Sequence, residues 1–225
     1  MLADMKFFPA ILVALLFLFR AGAQTDEPTL PTDRTQSISL FNGLDFTGLT
    51  FCMKDNADPA ETWTVTNHVI HCTGKPVGYL RTTQVYSNYF LTVEWRFVKI
   101  APKADNTGVL VHIQSPDKVW PQCIQVQGKH DHQGDLFLMA GAESKEHRGK
   151  DANTPLPLRG GSVEHPVGEW NKAEIVCLHG KVEIFINGKF VNETTECTLD
   201  AGYIGLQSEG GEIEIRSLVY APLKY

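Results

Sequence analysis

Several things are scarce or missing in this 225-residue chain, and each absence removes a class of function. No C-x-x-C spacing occurs, so a cysteine-ligated zinc site has no support. No block of lysine and arginine occurs, and the formal charge is −6; neither nucleic acid nor an anionic membrane surface is an expected partner. No stretch carries a convincing helical stripe longer than two turns. The apolar run Phe7–Phe19 is too short to span a bilayer comfortably. It follows Lys6 and leads into Ala21-Gly22-Ala23, a small-residue cleavage pattern, so residues 1–23 read as a signal peptide rather than an anchor. No cysteine follows the run, so a bacterial lipid anchor is not suggested. The expected destination is the periplasm or the extracellular space.

What is present is a succession of short runs rich in Val, Ile, Thr and aromatics, punctuated by Gly, Asn, Asp and Pro. This predicts strands near 62–66, 69–73, 78–82, 88–98, 108–113, 122–127, 134–139, 172–178, 181–187, 189–194, 202–207 and 212–220. His179-Gly180 and Asn187-Gly188 read as tight hairpin turns. After a polar leader at 24–37 carrying Pro28 and Pro31, residues 38–225 are expected to form one all-β domain, a sandwich or barrel. Glu143–Glu164 is charged, carries Pro and Gly, and is too long for an ordinary connection. The five cysteines, Cys52, Cys72, Cys123, Cys177 and Cys197, leave at least one thiol free in a monomer. Cys177 with Cys197 and Cys52 with Cys72 are pairs to test; the alternative is buried thiols acting as small hydrophobes.

Strand alternation separates a core face from a second face. Trp95, Ile124, Val126, Ile204 and Leu206 fall on the core side. Glu94, Arg96, His112, Gln125, Gln127, Asp135 and Gln207 fall on the other. That face is either solvated or a groove. Two glutamines at i, i+2 beside Arg, His and acids supply the directional donors and acceptors that sugars need. Trp120, before Pro121, is the candidate stacking platform. His130-Asp131-His132 with Asp135 is either a metal cluster or a polar turn. His147 in the long segment is a mobile acid or base or a solvated histidine. Asn192-Glu193-Thr194 is a glycosylation sequon, meaningful only in a eukaryotic secretory pathway.

The order of segments adds more than any one of them. Leu40-Phe41-Asn42-Gly43-Leu44-Asp45-Phe46-Thr47-Gly48 is followed, far downstream, by Gly168-Glu169-Trp170-Asn171, the two hairpins, and Gly202–Arg216 around Glu209-Gly210-Gly211. This series resembles the 3-keto-disaccharide hydrolase domain family over roughly Ser39 to Leu223. The resemblance implies a concanavalin-like jelly roll of two antiparallel sheets, one of them concave. It also implies action on glycosides already oxidised at C3, with no cofactor. In such a substrate a base removes the acidified C2 proton, a donor holds the enolate oxygen and the C1 substituent leaves. Arg96 is the expected enolate donor, and Asp135 or Glu209 the expected base. Glu94, His112, Trp120, Gln125, Gln127 and Gln207 are expected to bind sugar. The closely spaced E-x-D-x-x-E strand motif of jelly-roll glucanases is missing, consistent with a route that does not need two opposed carboxylates. The family pattern carries Glu where this chain has Gln125. The alternative to an enzyme is therefore a non-catalytic carbohydrate-binding or adhesion module.

Overall fold

The computed structural model describes residues 28–31, 36–99, 106–151 and 153–223. The predicted signal peptide lies outside them, and so does most of the leader. In chain order the strands are β1 (Ile38–Ser39), β2 (Leu49–Met53), β3 (Trp63–Thr66), β4 (Val69–Cys72), β5 (Gly78–Thr82), β6 (Tyr86–Ser87), β7 (Tyr89–Phe97), β8 (Gly108–Ile113), β9 (Cys123–Gln127), β10 (Leu136–Met139), β11 (Asn171–Leu178), β12 (Lys181–Ile186), β13 (Lys189–Thr194), β14 (Ala201–Ser208) and β15 (Ile213–Pro222). Among the described residues the only helices are two short 3-10 turns, and no helix is long and apolar enough to cross a membrane.

The strands form two antiparallel sheets. The larger runs β13-β12-β11-β7-β15-β4-β3, with β1 added beside β15; the smaller runs β10-β9-β8-β14-β5-β2, with β6 added beside β14. The architecture is the expected jelly-roll sandwich. One face of each sheet packs against the other, and Trp95, Ile124, Val126, Ile204 and Leu206 all sit in the shared core. Burying a large apolar side chain contributes about 1.5–3 kcal/mol, so these alternating positions decide which face turns inward. The two predicted hairpins form as expected. His179 and Gly180 have φ of 48° and 69°, and Asn187 and Gly188 have φ of 52° and 77°. Positive φ at both central residues twists a turn to match its strands.

The long segment 143–164 does not wander through solvent. Leu156 pairs with Leu136 on the free edge of β10. Arg159 N–H donates to Val191 O at 2.7 Å on the free edge of β13, and Lys145 N–H to Thr195 O at 2.9 Å just beyond its end. Asn192 Nδ2 donates to both Gly134 O and Leu156 O at 2.9 Å, tying the two sheets together through this segment. His147 is buried and shares a hydrogen bond with Thr154 O, so it is part of this clasp rather than a mobile group.

All five cysteines are free. Cys72 lies in the core between the sheets, whereas Cys52 packs beside Tyr79 on the outer side of the smaller sheet, so that pair cannot meet. Burial pushes the Cys177 thiol up to about 12, which suits an inert apolar filler.

Candidate functional site

The outer face of the smaller sheet is built in rows across neighbouring strands. Register places Tyr79, Gln207, Gly108 and Gln127 in one row, and Arg81, Gly205, Leu110, Gln125 and Phe137 in the next. Gly108 matters here. A Cβ at this position would lie 3.0 Å from Gln125 Nε2, so only glycine leaves Gln125 room to lie across β8. Gln125 Nε2 donates to Gln127 Oε1 and to Gln207 Oε1, both at 3.1 Å. Gln127 Oε1 also accepts from Gly128 N–H at 3.1 Å. With those oxygens engaged, Gln127 and Gln207 keep their NH2 groups as donors. All three glutamines are buried.

Gln125 and Gln127, with Gln207 bonded behind Gln125, form one wall of a cavity of about 550 Å³. Trp120, Phe137 and Met139 supply apolar surface, and Asn106, Asn153 and Glu209 supply polar groups. Glu209 Oε2 accepts from Asn106 Nδ2 at 2.6 Å. Burial pushes the Glu209 carboxyl above the usual glutamate range. A carboxylate whose proton affinity is raised by burial is a stronger proton acceptor than an exposed one. Trp120 is 46 % exposed, an open face among buried polar groups.

Of the expected site residues, Gln125, Gln127, Trp120 and Glu209 meet at the cavity, and Gln207 joins them through Gln125. The rest stand elsewhere. Arg96 and Glu94 stand on β7, in the larger sheet, and face away from the cavity. Arg96 is held by Glu214, with Nε to Oε2 at 2.6 Å, and Glu94 by Arg216 at 2.6 Å. Both guanidiniums lie over Trp170, at 4.6 and 4.5 Å from its ring centre. Period-two alternation assigns a side chain to a face but not a strand to a sheet, so it cannot separate these two from the residues of the smaller sheet. His112 is turned inward by a β-bulge: pairing slips between Tyr203 and Gly205, and His112 takes a φ of 57°. Its ring meets core Tyr89 at 5.6 Å, and Ile113 takes the outer face with Tyr79 and Leu110. Burial lowers the His112 pKa to about 4.

Asp135 begins the row on the outer face, but its carboxylate is committed. Oδ1 accepts from Leu158 N–H at 2.7 Å, and Oδ2 meets His132 Nδ1 at 3.0 Å. It anchors the long segment and does not line the cavity. The predicted cluster of His130, Asp131, His132 and Asp135 divides accordingly. His130 Nδ1 lies 2.9 Å from Glu164 and pairs there instead. His130, Asp131 and Glu164 bring ligand-type atoms within 4.8 Å of one another. Asn106 and Asn153 were not foreseen, because they come from connections where alternation gives no signal.

The sequence profile of the 3-keto-alpha-glucoside-1,2-lyase-like domain matches residues 36–219. The chain belongs to that family. Family membership makes this a carbohydrate-related domain. No curated protein matches the chain. Solved structures resemble it in fold. A candidate glycosyl hydrolase from Parabacteroides distasonis aligns with a TM-score of 0.62 at 21% identity, over 84% of this chain and 94% of that one. The carbohydrate-binding module CBM66 from Bacillus subtilis aligns at 0.56 with 10% identity, over 77% and 95%. The exoplasmic/lumenal domain of VIP36, bound to Ca2+ and Man2, aligns at 0.56 with 13% identity, over 84% and 88%.

Proposed function

We propose that this family member is an exported enzyme that cleaves 3-keto-glycosides by elimination followed by hydration, with Glu209 as base. The observation that carries this reading is a partly desolvated carboxylate, Glu209, in the lining of the same cavity as Gln125 and Gln127. The keto group at C3 makes the C2 proton acidic. Glu209 takes that proton, and the electron pair moves into a C2–C3 double bond with the charge on the C3 oxygen. The Gln127 amide, its carbonyl already tied to Gln125, is the assigned donor to that oxygen. Collapse of the enolate restores the ketone, forms the C1–C2 double bond and expels the C1 oxygen, which leaves with the proton from Glu209. Water then adds its hydroxyl to C1 and a proton to C2. Trp120 gives the sugar ring a face to stack on. Neither Arg96 nor Asp135 enters the sequence, since each is engaged elsewhere.

Glutamine at 125 supports a second reading, a binding module with the same cavity, because an amide cannot serve as a base. One experiment separates them. Protein is recovered from the secreted fraction, where its intact mass should begin at Gln24, and tested on a chromogenic 3-keto-α-glucoside. Wild type should release the chromophore. Glu209→Gln keeps the shape, and turnover should fall about 10²–10⁴-fold, while Asp135→Asn changes it little. Binding without cleavage by the wild type would establish the module. Equal turnover by Glu209→Gln would show that another group is the base.

A further inference from the structure

The connection between β8 and β9 is longer than its job requires. The two strands are antiparallel neighbours, paired from Gly108–Gln127 to Val111–Ile124, and a two-residue turn can join such strands. Instead the chain from 114 to 122 travels sideways over the sheet. It passes β14 and reaches β5, two strand spacings or about 10 Å away. There Asp117 is gripped by Arg81, with Nε to Oδ1 at 2.8 Å and Nη2 to Oδ2 at 2.7 Å. Tyr79 Oη donates to the same Oδ1 at 3.1 Å. The Arg81 guanidinium is fixed from its other side, 3.9 Å from the centre of the Tyr203 ring, and Arg81 Nη1 donates to Thr82 O at 2.8 Å. This is a forked, charge-assisted pair, the strongest kind of polar clamp a surface segment can have.

Two observations bear on its role. Tyr79, Leu110, Ile113 and Cys123 lie on the outer side of the smaller sheet yet are buried, packed by Cys52, Met139 and Tyr203, with Asp117 set over the Tyr79 hydroxyl. Trp120, three residues beyond Asp117, projects into the cavity beside Gln125 and Gln127. We infer that Arg81 and Asp117 form a latch that positions Trp120 beside Gln125 and Gln127. Arg81 and Asp117 act through Trp120 and are positioning residues. The role of the latch in sugar recognition rests on the function proposed above; its existence as a clamp does not.

The test therefore has two arms. Without ligand, hydrogen exchange at the Gln114 amide, which donates to Gln122 O at 2.9 Å and closes the base of the segment, is compared among wild type, Asp117→Ala, Arg81→Ala and Asp117→Glu. Both alanine variants should exchange at least about tenfold faster there, with β11 and β12 unchanged as the check on folding, and Asp117→Glu should recover part of the protection. With the chromogenic 3-keto-α-glucoside, Asp117→Ala should raise KM about tenfold with kcat within about twofold. Adding Trp120→Ala to Asp117→Ala should cost little more, because both remove the same contact. Unchanged exchange in Asp117→Ala and Arg81→Ala overturns the latch. Faster exchange with unchanged KM, or a Trp120→Ala variant with wild-type KM, overturns its role in recognition. A wild type that cleaves nothing sinks the proposed reaction alone, and the exchange arm still decides the latch.

Discussion

The outer faces of the two sheets are both polar, and they are polar in different ways. On the larger sheet the polar side chains are charged and matched. Arg96 meets Glu214, Arg216 meets Glu94, Lys172 meets Glu174, and Lys181 lies between Glu183 and Glu193. Each charge has an opposite within reach, and Trp170 fills the space between two guanidiniums. On the smaller sheet the central groups are neutral amides, buried, with donors left over, and one carboxylate without a cationic partner. A face whose charges cancel has little left to offer a ligand, and its net effect on stability is small. A face of half-satisfied amides in a cavity is costly to maintain unless something completes it. The contrast separates scaffold from site without reference to any motif.

The largest effect is expected where a residue left one class for another. His112 was assigned by alternation to the amide face and stands inside the sandwich. Its pKa is about 4 in the folded chain, against about 6.5 unfolded. The unfolded chain therefore binds the extra proton first as pH falls, so this contribution is intact above pH 6.5, is lost progressively down to pH 4, and then levels off. The change is of the order of 3 kcal/mol. Urea unfolding at pH 7.5 and pH 4 should show His112→Gln losing less stability on acidification than wild type. Equal losses would place the ring in water.

Within the amide network the expected effect is smaller. Gln207→Ala removes an acceptor from Gln125 and leaves a buried donor half used, at a cost of about 1–3 kcal/mol, readable in the same unfolding assay. A cost near zero would mean that solvent already serves these groups and that the network is not preorganised. On the opposite face, Glu94→Gln should change stability by no more than about 1 kcal/mol and leave KM for the chromogenic glycoside unchanged. A rise in KM would bring the charged face into the site and end the contrast.

Much of this was readable before any coordinates. Trp95, Ile124, Val126, Ile204 and Leu206 went to the core, because burying one face fixes strand register within a strand. Gln125 and Gln127 share a face by their spacing, and Glu209 follows Gln207 in the Gly-rich turn after β14. What could not be read is long-range. Nothing in Thr92-Val93-Glu94-Trp95-Arg96 says that β7 pairs with β11 and β15 rather than beside β8. Nothing in Val111-His112-Ile113 announces a bulge, which arises from the match with β14. Asp135 looked available because its partner, the Leu158 amide, is distant in sequence. The pairing of Tyr79 and Arg81 on one strand face was readable; their grip on Asp117 was not.

The segment 143–164 has a consequence beyond holding Asp135. A β-sandwich leaves its outermost strands with unpaired backbone groups, and such strands recruit copies of themselves. Here one stretch of chain occupies β10 through Leu156 and β13 through Arg159. It works as a selvedge, finishing the margins of two fabrics with a single thread. Two of the four sheet edges, β10 and β13, are thus covered by an irregular segment that contributes no strand of its own, while β2 and β3 form the other two. Shortening that segment would threaten solubility before it threatened the fold.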